Sequence, residues 1–261
     1  VFPFTPPPFE FYTQYKFARS MVFPWWEPDP LKDYDYIVKT DTDVFITPKM
    51  NEFPFTTNKI YAGYANYSPS DKAVYALIKA ANDFGYPQYK RIGDMHSTII
   101  GPAKDIIRIM ALSDKLEQDM YYGLEEPGEW YSDKLWRGYY DSSSGICSMY
   151  AAEIVISSLY YDRAEILQTI DGSSGSPEPW DKYYHFHCYH HDNIYSKFQA
   201  KFGAYVNAEL TEGKNCADYC LNVYINRYRA GKRLPENFNK PNFTIFDLPP
   251  SYKGLTFKYG W

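Results

Sequence analysis

The stretch Tyr34-Asp35-Tyr36-Ile37-Val38 is aromatic and β-branched, and it runs through Lys39-Thr40-Asp41-Thr42-Asp43 back into the apolar Val44-Phe45-Ile46 before Thr47-Pro48. Residues of that kind form a buried or half-buried strand. Two carboxylates set into such sequence need a partner, because desolvating an unpaired charge is costly. Residues two apart in an extended chain point to the same face, about 6 to 7 Å apart along it, so Asp41 and Asp43 can converge on one cation. Hard divalent ions such as Mn²⁺ or Mg²⁺ sit between one or two carboxylates and the phosphates of a substrate, so the pair suggests a metal-diphosphate site. Asp33-Tyr34-Asp35 repeats the spacing but reads as a solvated strand entrance.

The rest of the chain bounds this reading. Its 261 residues, 45% hydrophobic and 23% charged, bury a full core and fit one large α/β domain, or one domain with an appendage. A net charge of −5 argues against nucleic-acid binding, which leaves a basic footprint. Aromatic content of 20%, including 28 Tyr and 6 Trp, suits stacking on sugar faces as well as core filling. There is no run of 18 apolar residues and no basic-then-apolar leader, so neither a transmembrane helix nor a signal peptide is expected, and no membrane contact from this segment. The abrupt start at Val1-Phe2-Pro3-Phe4 suggests a trimmed catalytic region with any anchor outside it. Four cysteines are too few for a disulfide framework. Asn66-Tyr67-Ser68 and Asn242-Phe243-Thr244 match the glycosylation pattern, which leaves the compartment open.

The periodicities predict a helix over 13–22 ended by Pro24, a strand over 59–64, a capped helix over 70–84, a strand over 95–102, and helices over 103–112, 148–159 and 217–228. Residues 171–177 have the composition of a flexible loop. An aromatic loop region lies between Asp119 and Ser144 and holds Trp130 and Trp136. The end of the chain from Leu234 lacks a clear period and reads as an extended tail.

Four of the five histidines fall within Tyr183-Tyr184-His185-Phe186-His187-Cys188-Tyr189-His190-His191. His185 and His187 alternate to one face of a strand, and imidazole is a common transition-metal ligand. A rival reading joins Cys188 and His190 to Cys216-Ala217-Asp218-Tyr219-Cys220 as structural zinc. Lys197, ten residues past His187, has the charge to neutralise a phosphate. Glu153, read as early on its helix where the dipole favours an ionised carboxylate, is a candidate general base.

The Asp-Thr-Asp strand resembles that of metal-dependent GT-A glycosyltransferases. His185-Phe186-His187-Cys188-Tyr189-His190 with Ser196-Lys197-Phe198 resembles a little-characterised eukaryotic and algal group of that superfamily. The resemblance implies a GT-A-like mixed sheet flanked by helices, a catalytic domain over 1–233, and a C-terminal extension over 234–261. It implies Asp41, Asp43 and His187 as metal ligands, with His185 and His190 as alternatives, and Mn²⁺ or Mg²⁺ as cofactor. Lys197, Arg19 and Asp41 would bind the donor and its diphosphate. His96, Ser97, Thr98, Trp130 and Trp136 would face sugar or acceptor, and Glu153 would activate the acceptor hydroxyl. Only 40 residues precede Asp41, about half the usual length in that fold, so the N-terminal nucleotide-binding strands are expected to be incomplete.

The activity so implied is transfer of a sugar from a nucleotide-diphosphate sugar to a glycan or glycoprotein, in a Golgi-like lumen if the source is eukaryotic. Two alternatives from other classes are a catalytically silent carbohydrate-binding or structural protein of the same fold, and a metal-dependent hydrolase.

Overall fold

The computed structural model describes residues 8–14, 19–26, 28–56, 58–64, 71–122, 147–188 and 195–229. The fold is mixed α/β, with two small mixed sheets and helices. Two compact units divide it: one is formed by residues 1–41 and 54–168, the other by residues 42–53 and 169–261.

In the first unit, strands β1 (Tyr36–Lys39), β4 (Met95–Pro102), β3 (Ile60–Tyr64) and β5 (Ala164–Leu167) lie in that spatial order. β4 runs antiparallel to both β1 and β3, and β3 runs parallel to β5. All eight residues of β4 are buried, which explains why its sequence lacks apolar–polar alternation. The helices of this unit are α1 (Glu10–Gln14), α2 (Arg19–Trp26), α3 (Asp71–Asp83), α4 (Ala103–Tyr122) and α5 (Cys147–Leu159). The inward faces of α2 to α5 share a core with the sheet, including Ile60, Leu77, Ile99, Ile106, Ile109 and Ile154, while Phe11 and Tyr12 of α1 form a smaller cluster with Val22.

Three local expectations change here. The helix expected over 13–22 is replaced by α1 and α2, and α2 continues through Pro24 to Trp26. Trp25 packs against the core, so burial outweighs the hydrogen bond that proline cannot donate. Helix α4 runs ten residues beyond Leu112, because Leu116 and Met120 continue its buried stripe. The sequence pattern hides this, since Asp114 and Glu117 lie on that same buried face.

The second unit begins where the chain crosses from Asp41 to Thr42. Its sheet has the order β2 (Val44–Ile46), β7 (His185–His187), β6 (Gly172–Ser173), with β2 antiparallel and β6 parallel to β7. Helices α6 (Lys197–Lys201) and α7 (Cys216–Arg229) complete it. Tyr183, Phe186, Cys188, Tyr195, Tyr205, Cys216, Cys220 and Ile225 form its core. Thr47 locks the far end of β2, where its hydroxyl donates to the Tyr183 carbonyl at 2.7 Å.

The Asp-Thr-Asp motif is therefore no continuation of one strand: β1 and β2 belong to different sheets. Residues 171–177, expected to be a flexible loop, instead contain β6. A Cβ at Gly172 would overlap the Tyr183 ring, so glycine here serves close packing and not only freedom of the chain. The extension over 234–261 lies outside the described residues. Among the described residues, no helix is long and apolar enough to cross a membrane.

Candidate functional site

The β2–β7 pairing builds the site of the second unit. Register sets Val44 opposite His187 and Ile46 opposite His185. One step beyond β2, the Asp43 carbonyl accepts the Cys188 N–H at 2.9 Å, which fixes the Asp43 backbone beside the end of β7. Asp43 Oδ1 then lies 3.7 Å from His187 Nε2. Its other oxygen accepts from Lys197 Nζ, at the start of α6, at 2.5 Å. Burial works to raise the Asp43 carboxyl, but His187 and Lys197 outweigh it and hold the group below the usual carboxylate range.

This donor set fits a divalent ion. A carboxylate oxygen and an imidazole nitrogen each reach such an ion at about 2.0 to 2.2 Å, so two donors on one ion stand no more than about 4.4 Å apart. The 3.7 Å between Asp43 Oδ1 and His187 Nε2 falls inside that limit. Carboxylate oxygens suit Mg²⁺, Ca²⁺ and Mn²⁺, and imidazole suits Zn²⁺, Cu²⁺, Fe²⁺ and Ni²⁺.

Sequence reasoning missed Asp171. It immediately precedes β6, its side chain is fully buried, and its Oδ1 lies 3.8 Å from His187 Nδ1 and 3.7 Å from His185 Nδ1. The two histidines do share a face, as their alternation suggested, and the group they share is this carboxylate. The run Asp171-Gly172-Ser173-Ser174-Gly175 concealed it by reading as a linker.

In the first unit, the β1–β4 register gathers Lys39, Thr40 and Asp41 at the start of β4. Lys39 is 7% exposed. Its Nζ donates to the Ser97 carbonyl at 2.9 Å and lies 3.9 Å from Asp41 Oδ1. The Thr40 and Thr98 hydroxyls meet at 2.8 Å, and His96 Nδ1 lies 2.9 Å from the Ser97 hydroxyl. His96, Ser97 and Thr98 are all buried. The Ser97 and Thr98 hydroxyls and His96 Nδ1 thus have partners within the protein. Lys39 is a second residue to which the sequence reading gave no role, although a lysine inside an otherwise apolar strand was the available signal.

Glu153 also belongs to the first unit, buried at the middle of α5. It accepts from Tyr89 Oη at 3.0 Å, and Arg91 Nε lies 3.4 Å away. The expectation that a helix dipole favours its ionised form is corrected: burial, only partly offset by Arg91 and Tyr89, pushes the carboxyl up to about 7. Glu153 lies beyond the first turn, where the dipole acts. A carboxyl near 7 is matched to proton transfer at neutral pH.

The thiols of the rival zinc reading are buried and free. Burial pushes Cys188 up to about 12 and Cys216 up to about 11, which favours the protonated thiol over the ligating thiolate. Among the described residues, no three cysteine or histidine ligand atoms from that set lie close enough to share an ion. Arg19 opens α2, while His190, Trp130 and Trp136 lie outside the described residues.

Fold and site together define a mixed α/β protein whose second unit gathers a carboxylate, an imidazole and a lysine at one sheet end. The chain belongs to the family described as Domain of unknown function (DUF7164), which it matches over residues 5–230. No curated protein and no solved structure matches the chain.

Proposed function

We propose that the protein is a divalent-metal-dependent glycosyltransferase of the GT-A type, moving a hexosyl or pentosyl group from a nucleotide-diphosphate sugar to a hydroxyl of a glycan or glycoprotein. One observation carries the reading: Asp43 of the Asp-Thr-Asp motif faces His187 at 3.7 Å and Lys197 at 2.5 Å. A motif that suggests a metal-diphosphate site thus has an imidazole donor and a cation beside it.

Asp43 and His187 would hold Mn²⁺ or Mg²⁺, with Asp41 two residues earlier as the motif's other carboxylate. When bound, the ion supplies positive charge that offsets the charge developing on the departing diphosphate. Lys197 adds a second, protein-borne charge for the same phosphates. Arg19 is assigned to the nucleotide, and His96, Ser97, Thr98, Trp130 and Trp136 to sugar and acceptor. Glu153 takes the acceptor proton, which gives inversion at the anomeric carbon. A Golgi-like lumen, if the source is eukaryotic, is the compartment that supplies such donors and acceptors.

The test is a panel of nucleotide sugars with Mn²⁺, read by calorimetry and by product analysis, on the wild type and on Asp43→Ala. Mn²⁺-dependent donor binding and sugar transfer, both lost in Asp43→Ala with the fold intact, is the expected result. Transfer to water alone makes the protein a hydrolase. Absence of any nucleotide-diphosphate binding makes it a silent binding protein.

A further inference from the structure

Asp171 has a backbone φ of 59°, the only positive value at a non-glycine among the described residues. The left-handed region costs an L-residue energy and is taken most cheaply by glycine, then by asparagine or aspartate. Such strain is kept where the surroundings over-determine it, and those places cluster at working sites. Here the strained residue also carries a carboxylate whose side chain is fully buried, and burying a charge calls for compensation nearby. Two imidazoles, His185 and His187, face it through Nδ1. The turn is held from the far side as well, since Gly172 pairs with Phe186 in the sheet and has no room for a side chain against Tyr183.

His187 thus stands between two carboxylates, with Nδ1 toward Asp171 at 3.8 Å and Nε2 toward Asp43 at 3.7 Å. These carboxylates differ in how much field they exert on the ring. Asp43 is about one-third exposed and its charge is offset by Lys197 at 2.5 Å. Asp171 is completely buried, where a charge is screened far less than at a surface. The ring proton of neutral His187 is therefore drawn to Nδ1, on the Asp171 side, and the Nε2 lone pair is left facing Asp43. That tautomer is the one an ion beside Asp43 requires. Both contacts exceed the length of a formed hydrogen bond, so the orientation is electrostatic.

We infer that Asp171 is the positioning residue of the metal centre: it sets the tautomer and orientation of His187 and so presents Nε2 to the ion. The inference rests on the metal reading of Asp43 and His187 given above. His185, buried against the same carboxylate, serves as its second imidazole neighbour and not as a ligand of the ion. Carboxylates behind ligating histidines act in this way generally, and losing one costs about 10- to 100-fold in metal affinity.

The experiment uses ¹⁵N NMR of the imidazole nitrogens in the full metal-free chain, together with Mn²⁺ titration by calorimetry, on wild type, Asp171→Asn and Asp171→Gly. Both replacements tolerate φ near 59°, so the turn is expected to survive them. The expected result has the His187 proton on Nδ1 in the wild type, that population reduced in both variants, and Mn²⁺ affinity lowered about 10- to 100-fold. A wild-type proton on Nε2 overturns the inference, as do variants that fold but leave both tautomer and affinity unchanged. Failure of the metal reading is distinguishable. In that case wild type binds no Mn²⁺ while the His187 tautomer still follows Asp171. Mn²⁺ binding indifferent to Asp171 sinks the positioning role alone.

Discussion

Lys197 Nζ lies 2.5 Å from Asp43 Oδ2 across 154 residues of sequence, so the motif carboxylate is already held by a cation of the protein. Any ion that binds Asp43 competes with this lysine for the same charge. Replacing it by Met is expected to strengthen Mn²⁺ binding in the absence of nucleotide by roughly fivefold, the equivalent of about 1 kcal/mol for a partly exposed pair. The same change is expected to weaken nucleoside-diphosphate binding, because the phosphates lose their protein-borne charge. Calorimetry with Mn²⁺ alone and with Mn²⁺ plus nucleoside diphosphate separates the two effects. Weakened binding in both titrations would contradict the competition.

Glu153 should give the fold a pH dependence. Its carboxyl is raised from the ordinary 4.5 to about 7, so below 4.5 it is protonated in both folded and unfolded chains. Between those values the unfolded chain releases the proton while the folded one keeps it, and stability falls as pH rises through the window. The total is roughly 3 kcal/mol. Glu153→Gln is expected to remove that part of the slope in denaturation midpoints measured from pH 4 to 8.

The same substitution tests the assigned chemistry. Gln keeps the size of the side chain but cannot accept the acceptor proton, so turnover is expected to fall about 10²- to 10⁴-fold with donor affinity nearly unchanged. Near-normal turnover at saturating donor would leave Glu153 as a structural partner of Tyr89 and Arg91.

Lys39 offers a test in the first unit. Its buried ammonium donates to the Ser97 carbonyl at 2.9 Å, and Met in its place removes that donor. The expected loss is about 1 to 3 kcal/mol in chemical denaturation. Unchanged stability would mean that the carbonyl finds another donor.

Gly172→Ala probes the turn that carries Asp171. The added methyl meets the Tyr183 ring, which is itself part of the second core. Overpacking of that kind costs about 1 to 3 kcal/mol. A melting temperature equal to wild type would show that Tyr183 yields without cost.

The sequence alone was enough for the elements whose local pattern and tertiary role agree. β4 matches the stretch Met95 to Pro102, α5 begins one residue before the expected Ser148, and β7 holds His185 and His187 on one face. Asp43 was legible because two carboxylates inside apolar sequence demand a partner wherever the chain goes. What the pattern could not convey was which partner, since pairing across more than a hundred residues is decided by strand register and not by local propensity. The tertiary structure alone separated β1 from β2 into different sheets and turned a glycine–serine run into the strand beside Asp171. It also decided the charge state favoured at Glu153, because a carboxyl answers to the dielectric around it and burial is not written in its neighbours along the chain.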